Sequence, residues 1–182
     1  MVYRGICLLS VIVLTMILAS CDTSDAPLST RPLESVVSRD LHIVMGQTIY
    51  VPAYSEIFYG TSVRTVPLAV TLAIHNTDVD SAIIIQAVRY YDTDGNLVRE
   101  YVTEPVEIPP LATTGFIVES QDTSGGWGAN FIVEWGAEEP VYEPIVEAIM
   151  ISTEGNGVSM ISPGRIVSEI QASSEASATS AN

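Results

Sequence analysis

The run Val66-Pro67-Leu68-Ala69-Val70-Thr71-Leu72-Ala73-Ile74-His75 alternates large apolar residues with small or polar ones. Successive side chains of a β-strand point to opposite faces of a sheet, so this period of two predicts a half-buried strand. The turn formers Asn76-Thr77-Asp78 end the strand. The buried face is predicted to consist of Val66, Leu68, Val70, Leu72 and Ile74.

The segment that follows predicts a central strand and its hairpin partner. Ala82–Asp92 is more continuously apolar, which is typical of a strand covered on both faces. Asp92-Thr93-Asp94-Gly95-Asn96 is dense in turn formers, with Gly95 available for a positive φ, and Leu97–Val102 resumes the strand pattern. The chain is therefore predicted to fold back here as an antiparallel pair.

Short apolar alternations separated by Gly, Pro and Asn continue on both sides of this hairpin. Upstream, Gln47–Tyr54 alternates, and Pro52, which cannot donate to a ladder, predicts an edge or a bulge. Downstream, strands are predicted at residues 115–119, 131–135, 145–153, 158–161 and 165–170. The predicted fold class is all-β: a single antiparallel β-sandwich, immunoglobulin-like, of seven or eight strands, with a small barrel as the second choice.

Residues 1–20 have the composition of a signal peptide. One positive charge at Arg4 precedes the apolar run Ile6–Leu18, which is short for a bilayer span of about 20 residues. Leu18-Ala19-Ser20-Cys21 resembles the bacterial lipobox, which implies cleavage before Cys21 and covalent diacylglyceryl and acyl chains, such as palmitate, on that residue. An ordinary cleaved signal that ends at a Cys is the other interpretation, and a transmembrane anchor is the weaker one.

Polar stretches flank the predicted sandwich. Residues 21–46 carry the lipidated Cys and a Ser-, Thr-, Asp- and Pro-rich segment that is typical of a flexible linker. The β-sandwich domain is predicted at residues 47–168, and the Ser- and Ala-rich residues 169–182 are predicted to be a disordered tail. The predicted organisation is one tethered domain.

The charge and cysteine content exclude several function classes. Seven arginines and no lysine stand against 22 acidic residues, for a net charge of −15, which becomes −16 once Arg4 is removed with the leader. Phosphate backbones require clustered Lys or Arg, so nucleic acid is excluded as a partner. Cys7 and Cys21 are the two cysteines, so the domain has no thiol for catalysis, redox chemistry or metal binding, and the absent lysines exclude Schiff-base and P-loop chemistry.

Carboxylates and histidines provide only weak candidates for a metal site. Asp92 and Asp94 resemble the start of a calcium loop, but position twelve of that loop is Thr103 instead of the required Glu, which favours a plain hairpin turn. His42 and His75 are the two histidines and have no third ligand nearby in sequence. No metal, and no cofactor other than the acyl chains on Cys21, is expected.

The aromatic residues are the more suggestive candidates for function. Gly-x-Ser-x-Gly is absent and no Ser has a base beside it in sequence, so no catalytic residue is assigned. Candidate binding residues are Tyr54 and Tyr59, near the first strand, and Trp127, on the Gly-rich loop at residues 124–128. Two alternatives stay open for Trp127: an exposed binding residue, or a ring folded back on the sheet.

Several segments, taken in order, resemble one known family. They are Gly46–Ile57 (GQTIYVPAYSEI), Arg89–Gly95 (RYYDTDG), Asp122–Gly126 (DTSGG) followed by Gly128–Phe131 (GANF), and Glu147–Ile151 (EAIMI). The family is the domain-of-unknown-function family three-one-two-four, found as short bacterial lipoproteins, and the resemblance covers about Gln47 to Val167. It has no established activity, so the resemblance implies an envelope lipoprotein and transfers no catalytic residue.

The sequence favours a binding or structural module over an enzyme. We expect a lipid-anchored β-sandwich of the bacterial cell envelope, facing outside the cytoplasm, that binds an envelope protein or a glycan without catalysis. The alternative is a hydrolytic or metal-dependent envelope enzyme that uses Asp and Glu residues. An accessory subunit of an envelope complex is a third, weaker interpretation.

Overall fold

A computed structural model describes residues 33–60 and 63–171 of the chain. The predicted signal peptide, Cys21, residues 22–32 of the predicted linker and residues 172–182 of the predicted tail lie outside the described residues. No helix in the described part of the chain is both long enough and apolar enough to cross a bilayer.

The described residues form thirteen β-strands and one 3₁₀ turn at Gly126–Gly128. This is more strands than the seven or eight predicted, because the two short strands at Glu34–Ser35 and Val106–Ile108 and the separate hairpin at residues 56–67 were not predicted. In chain order the strands are β1 (Glu34–Ser35), β2 (Met45–Pro52), β3 (Glu56–Tyr59), β4 (Arg64–Pro67), β5 (Ala69–His75), β6 (Ile83–Tyr91), β7 (Leu97–Val102), β8 (Val106–Ile108), β9 (Thr113–Val118), β10 (Asn130–Ala137), β11 (Ile145–Ser152), β12 (Val158–Pro163) and β13 (Arg165–Gln171).

The strands form two antiparallel sheets around one core, so the predicted β-sandwich is confirmed. The larger sheet has the order β1-β8-β6-β10-β2-β13, and β7 joins β6 beside β8. The smaller sheet has the order β12-β11-β5-β9, and β3 pairs with β4 as a separate hairpin. The central position of β6 and its hairpin with β7 were predicted from the apolar run and the Gly95 turn, and both are confirmed.

The core consists of alternate residues from both sheets. Leu68, Val70, Leu72 and Ile74 are fully buried, as their period of two predicts. Val66, predicted on the same face, is only partly buried, because it belongs to β4 of the separate hairpin. The largest fully buried side chains from other strands are Trp135, Tyr90, Phe116 and Phe131. Tyr90 and Phe131 face each other across the β6–β10 pair, with ring centroids 4.7 Å apart. Burial of each such apolar side chain contributes about 1.5–3 kcal/mol to the free energy of folding.

β2 differs from the predicted edge strand. It lies inside the large sheet, paired with β10 over its whole length and with β13 from Met45 to Tyr50. Pro52 is tolerated because it is the last residue of β2 and lies beyond the end of the β13 ladder, where its missing N–H leaves no pair broken.

The packed chain begins before residue 47, where the sequence predicts the domain to start. Leu33–Val44, here called the strap, lies against the large sheet: Val36 is buried and its N–H donates to Pro105, and Val44 donates to Ala137. The Arg39 guanidinium pairs with Glu107 at 2.7 Å and with Glu138. At the other end, β13 continues to Gln171, beyond the predicted boundary at 168.

Strand direction defines two ends of the sandwich. β6 runs from Ile83 at what we call the lower end to Tyr91 at the upper end, a rise of about 27 Å at ~3.4 Å per residue. The described chain begins at the lower end, because β1 pairs with β8 and β8 pairs with the first three residues of β6. The β6–β7 turn and the end of β2 lie at the upper end, because Pro52, Asn130 and Tyr91 share one register position.

Candidate binding surface

Two polar side chains seat the Gly-rich loop on the upper end. Ser55 is buried; its N–H donates to the Gly126 carbonyl at 3.0 Å and its Oγ accepts from the Gly126 N–H at 2.8 Å. From the other side, the Thr93 N–H donates to the Gly125 carbonyl at 2.9 Å, and Thr93 Oγ1 accepts from the Gly128 N–H at 3.0 Å. The loop is therefore held between the segment after β2 and the β6–β7 turn.

The loop requires glycine because it lies directly on the core. A Cβ at Gly125 would lie 1.9 Å from the hydroxyl oxygen of Tyr90 and 2.7 Å from Cβ of Ala129. Gly126 has a φ of +74°, and a Cβ there would lie 2.6 Å from Thr93 Oγ1. Burial raises the pKa of Tyr90 to about 12, so its hydroxyl is neutral under the loop.

This loop presents Trp127 to solvent. The Trp127 side chain is 52% exposed, and its ring lies 6.0 Å from that of Phe58, tilted by 50°. Phe58 and its neighbour Tyr59, on the β3–β4 hairpin, are 53% and 48% exposed. We call Phe58, Tyr59 and Trp127 the aromatic tip. Trp127 is therefore exposed on the loop and is not folded back on the sheet.

The aromatic tip overlaps with the predicted binding residues but does not match them all. Tyr59 and Trp127 lie on it, whereas Tyr54 is partly buried and packs against the core cluster. Phe58 was not selected as a candidate from the sequence. Alternation along β3 is the signal that could have found it, because Ile57 packs against the core and its neighbour Phe58 must then face away.

The Asp92 carboxylate is used within its own turn. It accepts hydrogen bonds from the N–H groups of Asp94 at 2.9 Å and Asn96 at 2.7 Å, and from the Asn96 side chain at 3.0 Å. The Asn96 side-chain bond contributes most, and together these bonds lower the pKa of Asp92. Asp94 is exposed in the same turn. Asp92 and Asp94 thus belong to the β6–β7 hairpin turn, the interpretation that the sequence favoured over a calcium loop.

The two histidines lie in different parts of the fold. His42 belongs to the strap, where its N–H donates to Glu138 at 3.2 Å. His75 is on the outer face of the small sheet, with Nδ1 2.9 Å from Thr113 Oγ1 and Nε2 3.9 Å from Glu147 Oε1. Within residues 33–60 and 63–171, no group of three or more His, Cys, Asp or Glu side chains is arranged to hold a metal ion.

Comparison with known proteins identifies the family. Residues 46–167 match the family described as protein of unknown function (DUF3124). The chain belongs to this family. No curated protein matches it. Among solved structures, the crystal structure of Thermotoga maritima 1070 is similar, with a TM-score of 0.40 and 14% sequence identity over 65% of this chain and 92% of that one.

The DUF3124 region coincides with the sandwich. It begins at Gly46 in β2 and ends at Val167 in β13, so it contains the aromatic tip together with Ser55 and Thr93, which seat the loop. The strap lies before the matched region. The description of the DUF3124 family assigns no activity.

Proposed function

We propose that this chain is a lipid-anchored β-sandwich module of the bacterial cell envelope that makes its contacts through the aromatic tip and has no catalytic activity. The observation that carries the proposal is the position of that tip. Three aromatic side chains are half exposed at the upper end, and the chain reaches the domain from the other end. The tip and the point where the described chain enters the domain therefore lie at opposite ends of the sandwich.

The anchor is proposed from Cys21 and the residues before it. The apolar run Ile6–Leu18 and the small residues Ala19 and Ser20 precede that Cys. Burying acyl chains yields about 0.8 kcal/mol per methylene, and stable anchoring takes more than one chain, which a diacylglyceryl group supplies. Such an anchor does not depend on charge, which suits a chain with a net charge of −15.

Metabolic labelling tests the anchor. Cells that express the full chain are fed an alkyne analogue of palmitate, and we expect the protein to be labelled unless Cys21 is changed to Ser. Globomycin, which inhibits cleavage before the lipidated Cys, should shift the label to a larger, uncleaved precursor. Cys7→Ser, a cysteine substitution inside the apolar run, is the matched control and should retain the label. Label that persists in the Cys21→Ser chain would contradict the anchor.

Photo-crosslinking in intact cells tests the aromatic tip. We place p-benzoylphenylalanine at position 127, and at position 142 as a control, because Tyr142 is an exposed aromatic residue in the loop after β10 at the lower end. The proposal expects a strong adduct at position 127 and a weak one at position 142. Equal adducts at the two positions would reject the tip as the contact surface.

A hydrolytic enzyme is the second candidate, and one arrangement favours it. A hydroxyl, an imidazole and a carboxylate lie in series at Thr113, His75 and Glu147, which is an order found in nucleophilic catalysis. It ranks second because these side chains lie on the face of a sheet and the His75–Glu147 separation of 3.9 Å exceeds a hydrogen bond. Hydrolysis of p-nitrophenyl acetate that is lost in Thr113→Val and Glu147→Gln as well as in His75→Ala would establish this alternative, because an exposed imidazole alone also cleaves this ester.

A further inference from the structure

The β3–β4 hairpin is a small apolar projection at the upper end. Its strands pair only with each other among the described residues, and Ile57 packs it against the core. Beside the aromatic tip it carries Val63, which is 90% exposed. Four large apolar side chains, Phe58, Tyr59, Val63 and Trp127, are therefore presented to solvent by one hairpin and the adjoining loop.

Beyond Glu56, the β3–β4 hairpin carries no negative charge. The chain has 22 acidic residues, yet none lies between Glu56 and Asp78. Arg64 is exposed and pairs with Tyr59 in the ladder, so the hairpin beyond Glu56 carries one positive charge. The acidic residues of the upper end belong to the neighbouring segments, in the Asp92–Asn96 turn, at Glu119 and Asp122, and at Glu154 in the β11–β12 turn. The hairpin can thus approach a headgroup region that repels the rest of the domain.

The size and composition of this projection favour a lipid surface over a protein. Stable protein interfaces bury about 800 Å² on each partner, contributed by about 20–30 residues, whereas this projection presents four large apolar side chains. Insertion into a membrane needs no surface of complementary shape, because each apolar side chain moves from water into the lipid independently of the others. Trp and Tyr are, in addition, the residues enriched at the membrane–water interface. Arg64 can keep its charge at the headgroups while its methylenes lie beside the rings.

We infer that the aromatic tip, together with Val63, inserts reversibly into the interface of a lipid bilayer and serves as a second membrane contact. The inference rests on the proposed function, which makes the tip the contact surface. Residues 22–32 span up to about 36–40 Å when extended, more than the ~27 Å length of β6, so one bilayer can hold both Cys21 and the tip. An anchor at Cys21 would raise the effective concentration of the tip at the bilayer, so that even weak insertion of the tip would be populated.

Tryptophan fluorescence offers a direct test, because the two tryptophans differ in environment. Trp127 is half exposed, whereas Trp135 is fully buried and its Nε1 donates to Gln47 at 3.3 Å. The protein is the chain from residue 21 with Cys21→Ser, which keeps the core residues between Ile49 and Met150 and has no acyl chain. It is mixed with phosphatidylcholine vesicles, and with vesicles containing one part phosphatidylglycerol to two of phosphatidylcholine.

The expected result is a blue shift of emission and co-flotation with phosphatidylcholine vesicles, with weaker binding to the anionic ones because the domain is acidic. Trp127→Phe should abolish the blue shift. Phe58→Ser should weaken binding to the vesicles about tenfold, because one aromatic side chain no longer moves from water into the lipid. Ile161→Ser, which removes an exposed apolar residue of the small sheet, is the matched control and should bind normally. Circular dichroism and thermal melts verify that each variant is folded.

Three outcomes would overturn the inference. They are the absence of both blue shift and flotation, binding that requires phosphatidylglycerol, and an equal loss of binding in Ile161→Ser and Phe58→Ser. A cellular crosslink from position 127 to a protein instead of a lipid would likewise overturn it. These failures are distinct from failure of the proposed function, because acyl labelling of Cys21 and the contrast between positions 127 and 142 are measured in cells without vesicles.

Discussion

At the scale of single residues, Gly125 connects the core to the aromatic tip. Its backbone lies against the hydroxyl of Tyr90, and the next two residues carry the turn that presents Trp127. We predict that Gly125→Ala lowers the free energy of unfolding by about 1–3 kcal/mol, the usual cost of overpacking. Urea unfolding measures this loss. Tyr90→Phe in the same chain should restore part of the stability, and strict additivity of the two changes would contradict the contact.

Asp78 has a similar structural role at the lower end. Its carboxylate accepts hydrogen bonds from the N–H groups of Asp80, Tyr142 and Ser81. These bonds lower the pKa of Asp78, and the bond from Asp80 has the largest effect. Because the folded pKa lies below the unfolded one, the stabilisation is present above about pH 3.9 and is lost as the pH falls through the folded pKa. Unfolding of the wild type should therefore become easier below about pH 4. The Asp78→Asn variant should be less stable than the wild type at pH 7 but should lose less stability on acidification. Asp80→Asn is the control and should lose stability with pH as the wild type does. Identical dependence of stability on pH in the wild type and both variants would refute the role of Asp78.

At the scale of elements, alternation predicted most strands and could not predict those held by distant contacts. β5, β6, β7 and β10 carry their own period of two or a continuous apolar run, so their existence followed from local sequence. The strap has no such period; Val36 is buried because Pro105 pairs with it, and Arg39 is placed by carboxylates 68 and 99 residues away. Trp127 likewise could not be placed, since its exposure depends on Ser55 and Thr93, which seat the loop.

The strap is held to the rest of the domain by the ion pairs of Arg39. Arg39 ties it to β8 and to the loop after β10, and both pairs are exposed to solvent, where ion pairs contribute little to global stability. We therefore expect Arg39→Ala to leave the melting temperature almost unchanged and to loosen the strap alone. Amide hydrogen exchange should accelerate at Val36 and Val44, whereas Val133 in the core should exchange as before. Unchanged exchange at Val36 and Val44 would show that apolar packing alone holds the strap.

At the scale of the whole molecule, stability is set by competition between local ion pairs and general repulsion. Arg89 bridges Glu100 and Glu134, and Arg39 bridges Glu107 and Glu138, so salt should weaken these pairs. The 22 acidic residues nevertheless exceed the seven basic ones by 15, and this excess opposes folding. The excess of 15 negative charges is larger than the number of these arginine–glutamate pairs, so repulsion between carboxylates should outweigh the ion pairs.

We therefore predict that added salt stabilises the protein at pH 7. Between about 10 mM and 150 mM NaCl the Debye length falls from ~30 Å to ~8 Å, which screens repulsion across the whole surface. The melting temperature should rise over this range. A Glu139→Gln, Glu154→Gln double variant, which neutralises two exposed carboxylates, should melt higher than the wild type at low salt and nearly the same at high salt. A melting temperature that falls with salt would mean that the Arg39 and Arg89 pairs outweigh the net charge.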